Sequence, residues 1–371
     1  MDRYDVIVIG AGPAGSTCAK ACAEKGLKTL MIDKQGLPRD KVCSGMVMGA
    51  LAQGLMEQEF GFPPQDVLTQ PPQLKGYCFH VPGTGLEKID NPTWLSWRKE
   101  LDHWMNQKAG ESGVDIRDRA EVVGIAQKTE GLAITVKREG EARELMTTYA
   151  IGADGATSVV RKSLFPNLQV RYGQALQEHL EGEVDLDQDY FHWFYPREIN
   201  PSFFTVHQKD GAIIIEVAGK PGASKEIMAW AQTYLAEHHA LSKTREPVWR
   251  GSCLEPALYR ELTSRTFRPA RENVLLVGDA AGFIMPVSGE GIGLAMQSAL
   301  AAAAAVTRSK KTGDPPERMY LSEIKPIIAG FEKVYPWFRR IMEEAKGEGT
   351  ALPGILRQAY ESTLSPIDPT A

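Results

Sequence analysis

Three stretches of the chain hold residues whose type and spacing could do chemistry. The first is the glycine series Gly10, Gly12 and Gly15, with Pro13 and Ala14 inside it and Asp33 and Lys34 beyond. At this GxGxxG spacing the first glycine permits a tight turn, the second lets backbone approach a pyrophosphate, and the third lets a helix press on a sheet. Asp33 would then accept from the hydroxyls of an adenosine ribose. The second stretch is the charged loop 34–45, which ends in Cys43, Ser44 and Gly45. A thiol here either lies over the reactive end of a bound cofactor or is a structural thiol beside a turn, and the chemistry leaves both readings open. The third is the aromatic run 190–196, in which Phe191, Trp193 and Tyr195 alternate with Tyr190, His192 and Phe194. Aromatics on both faces of one strand predict that one face packs in a core and the other lines a cavity for an apolar ligand.

The elements that must position these groups follow from periodicity. An apolar run from Asp5, the glycines, a small-residue helix ending at Gly26 and a second apolar run ending at Asp33 make one βαβ unit. Residues 46–75 read as helical and then proline-rich, and 76–90 as strands turning at Pro82, Gly83 and Gly85. A helix opening near Arg98 offers a cation either to a phosphate or to an i,i+4 pair with Asp102. From 115 to 151 the period is two, with glycines at 131 and 140 dividing a three-stranded meander. The meander runs into Asp154, Gly155 and Arg161, a strand–turn–helix of small residues.

A buried strand from 273 then ends at Gly278 and Asp279, followed by Gly289, Gly291 and Ile292 at the head of an alanine-rich helix. An acid at a strand end and a glycine-rich helix start suit an extended dinucleotide carrying a polyol and a ring. Asp279 would bind ribityl hydroxyls, and the helix dipole would favour a reduced flavin at its N1/O2 edge. Plain NAD would leave this second site without purpose, so FAD is the expected guest. The apolar face of the helix 331–345 is expected to be a lid or packing surface, with a loose membrane contact as the alternative.

Composition narrows the classes. The 371 residues carry 42 basic and 47 acidic side chains, net charge −5, without a basic stripe, which argues against nucleic acid. Five cysteines without paired spacing argue against a metal site or disulfide framework and fit a reducing cytoplasm. The chain enters a strand without a charged-then-apolar leader, and its most apolar helix, 292–306, is shorter than a membrane span.

Taken together, the Gly10 to Gly15 series, Asp154-Gly155 with Arg161, and Gly278-Asp279 resemble the FAD-binding fold shared by aromatic hydroxylases, flavin halogenases and geranylgeranyl reductases. Gly282 and the sequence from Phe283 to Ile292, with the Cys43 loop, resemble the geranylgeranyl reductase family in particular. That family's PxxYxWxFP motif is matched in part by Trp193 and Pro196, with Gln188, Phe191 and Tyr195 departing from it.

The resemblance implies an α/β protein, α+β overall. A Rossmann-type FAD-binding domain would occupy 1–75, 98–165 and 266–310. An inserted antiparallel-sheet substrate domain would span 76–97 and 166–265, with a C-terminal helical region over 311–371. It implies FAD contacts at Ala14, Asp33, the Cys43 to Gly45 loop, Arg98, Val122, Asp279, Gly291 and Ile292. The implied activity is reduction, or reverse dehydrogenation, of a carbon–carbon double bond in a largely apolar isoprenoid or conjugated substrate. Hydride would pass from flavin N5 to one carbon and a proton to the other. Cys43, ordered water, His192 and Tyr195 are candidate proton donors, and Phe191, Trp193 and Tyr195 candidate substrate contacts. No second nucleotide cradle is visible, so electrons are expected from ferredoxin, another flavoprotein or transient NAD(P)H. An aromatic monooxygenase and an electron-transfer flavoprotein serving a quinone or protein partner are the rival readings.

Overall fold

The computed structural model describes residues 3–81, 85–199, 202–219, 222–242, 246–344 and 351–364; the expected turn at Pro82 and Gly83 lies outside them. Two sheets, with strands numbered in chain order, organise the chain. The first contains β1 (Arg3–Ile9), β2 (Thr29–Ile32), β6 (Asp115–Arg117), β7 (Glu121–Lys128), β8 (Gly131–Arg138), β9 (Glu141–Gly152), β15 (Ala270–Arg271) and β16 (Val274–Leu276). Its order is β15-β16-β9-β1-β2-β6, with β7 and β8 continuing from β9 as the expected meander. β1 lies parallel to both β2 and β9 and shows no polar face: Val6, Ile7 and Val8 are fully buried, as a central parallel strand requires.

Helix α1 (Pro13–Glu24) begins with proline in its first turn and has no side-chain cap, so its leading N–H groups face outward unpaired by side chains. Ala14, Cys18, Ala19 and Cys22 form its buried face, which packs against α7 (Ile292–Thr312) and α3 (Arg98–Glu111). The two thiols at i,i+4 are therefore packing groups.

The second sheet contains β3 (Met46–Val47), β4 (Leu68–Val81), β5 (Gly85–Ser96), β10 (Arg171–Glu181), β11 (Tyr190–Phe194), β12 (Phe203–Lys209), β13 (Ala212–Gly219) and β14 (Trp249–Ala257). Its order is β14-β10-β13-β12-β11-β4-β5-β3, antiparallel except where β11 lies parallel to β4. β4 starts at Leu68, earlier than the strand expected from 76. Pro71 and Pro72 sit in the register slip between Leu68 and Gln73, where no ladder N–H is demanded, so the prolines do not break the strand.

One face of this sheet packs on α5 (Ser224–His238), burying Phe194, Phe204, Ile213, Ile215 and Val217. The other face looks toward the first sheet. The remaining helices are α2 (Gly49–Phe60), α4 (Val159–Leu164), α6 (Tyr259–Thr263), α8 (Pro316–Glu323), α9 (Lys325–Glu344) and α10 (Leu352–Leu364). Among the described residues no helix is long and apolar enough to cross a membrane.

Candidate active site

A single cavity of about 1170 Å³ runs from the glycine turn after β1 to the aromatic face of the second sheet. That exceeds the usual volume of a pocket for one small ligand. At the glycine end, Gly10 adopts φ +109°, and a Cβ on Gly15 would stand 1.8 Å from the Gly10 carbonyl oxygen. Gly15 therefore lies behind the cavity wall, and its absent side chain is what seats α1 against the turn. Gly10, Gly12, Pro13, Ala14, Asp33, Lys34 and Val122 reach the wall itself.

The Asp33 carboxylate accepts from Ala11 N at 2.8 Å and Gln35 N at 2.9 Å, fixing the turn to the end of β2. Arg98 makes the i,i+4 pair with Asp102, at 2.8 and 2.9 Å, and also lines the cavity. Arg39, which the sequence did not single out, stands 3.5 Å from both Asp33 and Asp102, and its buried Nε has no hydrogen-bond partner among the described residues. A guanidinium only loosely held by two aspartates, beside a side-chain-free turn and an uncapped helix start, fits a phosphate group.

Beyond β16 the chain turns through Gly278, Asp279 and Ala280. Gly278 does not reach the cavity; its N–H donates to Ser298 Oγ at 3.0 Å, and an added Cβ would press on Ala14 and Ala295. Asp279 does reach it and meets Lys41 Nζ at 3.4 Å. Arg161, 1% exposed, joins this turn to the Asp154-Gly155 turn. It donates to Ala280 O at 2.8 Å, to Asp279 O at 3.3 Å, to Tyr172 Oη at 3.1 Å and to Ala156 O. Asp154 accepts from Val159 N at 2.6 Å and Ser158 Oγ at 2.5 Å, so one carboxylate both lines the cavity and starts α4. Gly289, Gly291 and Ile292 line the cavity at the head of α7, where Glu290 accepts from Gly293 N at 2.6 Å. Burial pushes the Glu290 carboxyl up to about 7.

The Cys43 loop crosses the inner face of the second sheet. Cys43 and Ser44 line the cavity, while Gly45 is behind it at φ +74°, where a Cβ would strike Ser96 O at 1.8 Å. Lys209, fully enclosed, donates to Ser44 O at 2.8 Å and Ser96 O at 3.2 Å and lies 4.0 Å above the Trp97 ring. Burial lowers this ammonium to about 8.

Phe191, Trp193 and Tyr195 form the far wall, with Trp193 stacked on Phe79 and on Tyr195. Ile341 and Met342 of α9 and Leu352 and Leu356 of α10 close it from above, which makes the C-terminal helices a cavity wall.

His192 must be corrected. The alternation that turns Trp193 inward turns His192 to the α5 side, where it is 2.9 Å from both His80 Nε2 and Asp187 O, and it does not line the cavity. Among the polar cavity residues that the sequence reading missed are Glu216, Cys253, Glu255, Arg39 and Lys41. Glu216 had a legible signal, a lone acid in the apolar strand 212–219.

A cavity that starts in a dinucleotide turn and ends in an aromatic wall belongs to a flavin-handling protein. The FAD binding domain family matches residues 3–315, and the chain belongs to that family. It is an FAD-dependent oxidoreductase with geranylgeranyl reductase-like relatives. Digeranylgeranylglycerophospholipid reductase 2 of Methanopyrus kandleri is 29% identical over 318 residues, covering 78% of this chain and 73% of that one. Geranylgeranyl diphosphate reductase of Rhodobacter capsulatus is 27% identical over 350 residues, covering 89% and 80%. The crystal structure of a geranylgeranyl bacteriochlorophyll reductase-like protein from Thermoplasma acidophilum superposes with TM-score 0.74 at 18% identity, covering 99% and 98%, and shares the fold. Bound in this cavity, FAD supplies two-electron chemistry at its isoalloxazine ring.

Proposed function

We propose that this protein reduces, or in reverse dehydrogenates, a carbon–carbon double bond in a largely apolar substrate, isoprenoid or conjugated. The observation that carries the reading is the continuity of one cavity from the glycine turn to a wall of Phe191, Trp193, Tyr195, Ile341, Met342, Leu352 and Leu356. Such a wall recognises a hydrocarbon chain by area and shape and excludes water around the reacting bond. The names of the two curated relatives support an isoprenoid. The aromatic rings would stabilise positive charge developing on an alkene carbon.

In this reading Arg39, Arg98 and the head of α1 hold the pyrophosphate, Asp33 and Asp279 hold the two polyol segments, and Cys43 with Ser44 flanks the reactive ring. Electrons come from a separate donor, a ferredoxin, a flavoprotein or NAD(P)H.

The test is anaerobic. The dithionite-reduced protein is mixed singly with polyprenyl lipids, enones, aryl-acrylates and quinones, and flavin reoxidation is followed by absorbance. Fast reoxidation by an alkene with a saturated product supports the reductase. Reoxidation by oxygen alone with a hydroxylated aromatic product would move the protein to the monooxygenases, and by quinones alone to the electron carriers.

A further inference from the structure

On the inner face of the second sheet, cross-strand neighbours form one row: Trp193, Thr205, Glu216, Gln177 and Gly251. The row begins in the aromatic wall and ends under the Cys43 loop, where Val42 packs over Gly251 so closely that a Cβ there would lie 2.8 Å from it. Glu216 is the one carboxyl in the row and lines the cavity. Its Oε2 accepts from Gln177 Nε2 at 2.8 Å, a neutral partner. Directly opposite, the buried Thr205 Oγ1 has no hydrogen-bond partner among the described residues. A carboxyl and a spare hydroxyl thus face each other at the junction of the apolar wall and the loop that carries Cys43.

The surroundings favour a carboxyl that keeps its proton. Burial, reinforced by Glu255, pushes Glu216 up to about 7, while Gln177 and Lys209 act in the opposite sense. The other titratable groups around it are Glu255 and Cys253 on β14, His207 and Lys209 on β12, His179 on β10, and Lys41 and Cys43 in the loop. Burial holds both His179, down to about 4, and His207 neutral, and it raises the Cys253 thiol and the Tyr195 phenol into weaker acids. Glu290 also sits near neutrality but is committed to the head of α7.

We infer that Glu216 is the proton donor of this cavity, passing its carboxyl hydrogen to the substrate carbon that does not receive the hydride. The inference rests on the double-bond reading above. In the step the Glu216 O–H bond breaks and a C–H bond forms with the alkene π pair, leaving a carboxylate. The second C–H bond takes both electrons of the hydride, which the reduced cofactor loses. Water entering the cavity reprotonates the carboxylate, and an external two-electron donor, dithionite in the test, restores the reductant.

The experiment compares wild type with Glu216→Gln and Glu216→Asp in two ways. Infrared difference titration of the protein without flavin should show carboxylic carbonyl absorption from Glu216 and Glu290 that disappears as pH rises through about 7, with the Glu216 share lost in Glu216→Gln and the Glu290 share kept. In anaerobic single turnover with an accepted alkene, Glu216→Gln should keep FAD and substrate binding but slow reoxidation about 100-fold, with Glu216→Asp partly restoring it. The wild-type rate should fall as pH rises through the same range, and the Glu216→Gln rate should not. Titrating carbonyl absorption undiminished from wild type in Glu216→Gln, or an unchanged rate and pH profile, overturns the inference while the reductase stands. A wild-type protein inert to every alkene removes both the function and the donor role, whatever the band shows.

Discussion

The residues that decide this site are charged groups in unusual places, and Lys209 shows why. Its ammonium holds the carbonyls of Ser44 and Ser96 together beneath the Cys43 loop, although 165 residues separate it from Ser44. An ordinary lysine titrates at 10.5 and this one at about 8. At about 1.4 kcal/mol per pH unit, the buried charge costs the folded state roughly 3 kcal/mol at neutral pH. Between about 8 and 10.5 the unfolded chain binds the extra proton, so the contribution of Lys209 to stability rises with pH across that window. Denaturant midpoints should therefore climb from pH 8 to 10 relative to Lys209→Met, in which that component of the slope vanishes. For Cys43 the expectation is different: Cys43→Ser should retain FAD yet slow alkene-driven reoxidation, and an equal single-turnover rate would deny the thiol a chemical part. The sequence made Cys43 legible because its loop follows the βαβ unit directly. It pointed to Arg161 but could not show Lys209 or Arg39 at work, because each of these two acts through partners brought together only in the fold.

At the scale of elements, local pattern carried most of the information. The βαβ unit, the three-stranded meander, the return strand ending in Gly278-Asp279 and the helix from Ile292 are where their periodicity and glycines put them. β4 was less legible, because two prolines usually argue against a strand and only the register slip at their position admits them. His192 was misplaced although its alternation with Trp193 was plain, since a histidine in an aromatic strand suggests chemistry where its contacts are structural, with His80 and the Asp187 carbonyl. The tightest constraint in the nucleotide unit is the seat of α1 on the turn. Gly15→Ala would place a methyl 1.8 Å from the Gly10 carbonyl oxygen. It should purify with native far-ultraviolet dichroism but weakened flavin retention, losing at least tenfold in FAD affinity by fluorescence titration, about 1.4 kcal/mol. Retention equal to wild type would mean that the helix moves without cost.

Across the whole molecule, part of the cavity wall comes from a segment remote from the glycine turn. Leu352 and Leu356 of α10 join Ile341 of α9 against Val81, completing the apolar wall. A chain ending at Glu344 should still bind FAD, because none of the nucleotide-end residues lies in α10. It should admit water and oxygen, so that air reoxidises its reduced flavin several-fold faster than wild type while alkene-driven reoxidation falls. Stopped-flow traces with and without oxygen would show both changes, and identical traces would mean that α10 does not seal the site.

The threading of the two sheets has a further consequence, for the order in which the protein is born. The second sheet unites 46–96 with 171–257, and β11 finds its parallel partner β4 only after the meander has been made. The acid of the return strand and the head of α7 come later still, at Asp279 and Ile292. A ribosome therefore releases the glycine turn early, long before anything exists to grip the other end of a flavin. Such distant pairings delay assembly and leave unpaired strand edges exposed meanwhile. The two ends of the flavin cradle are therefore made at opposite ends of synthesis, and the complete cradle exists only once α7 has joined the first sheet.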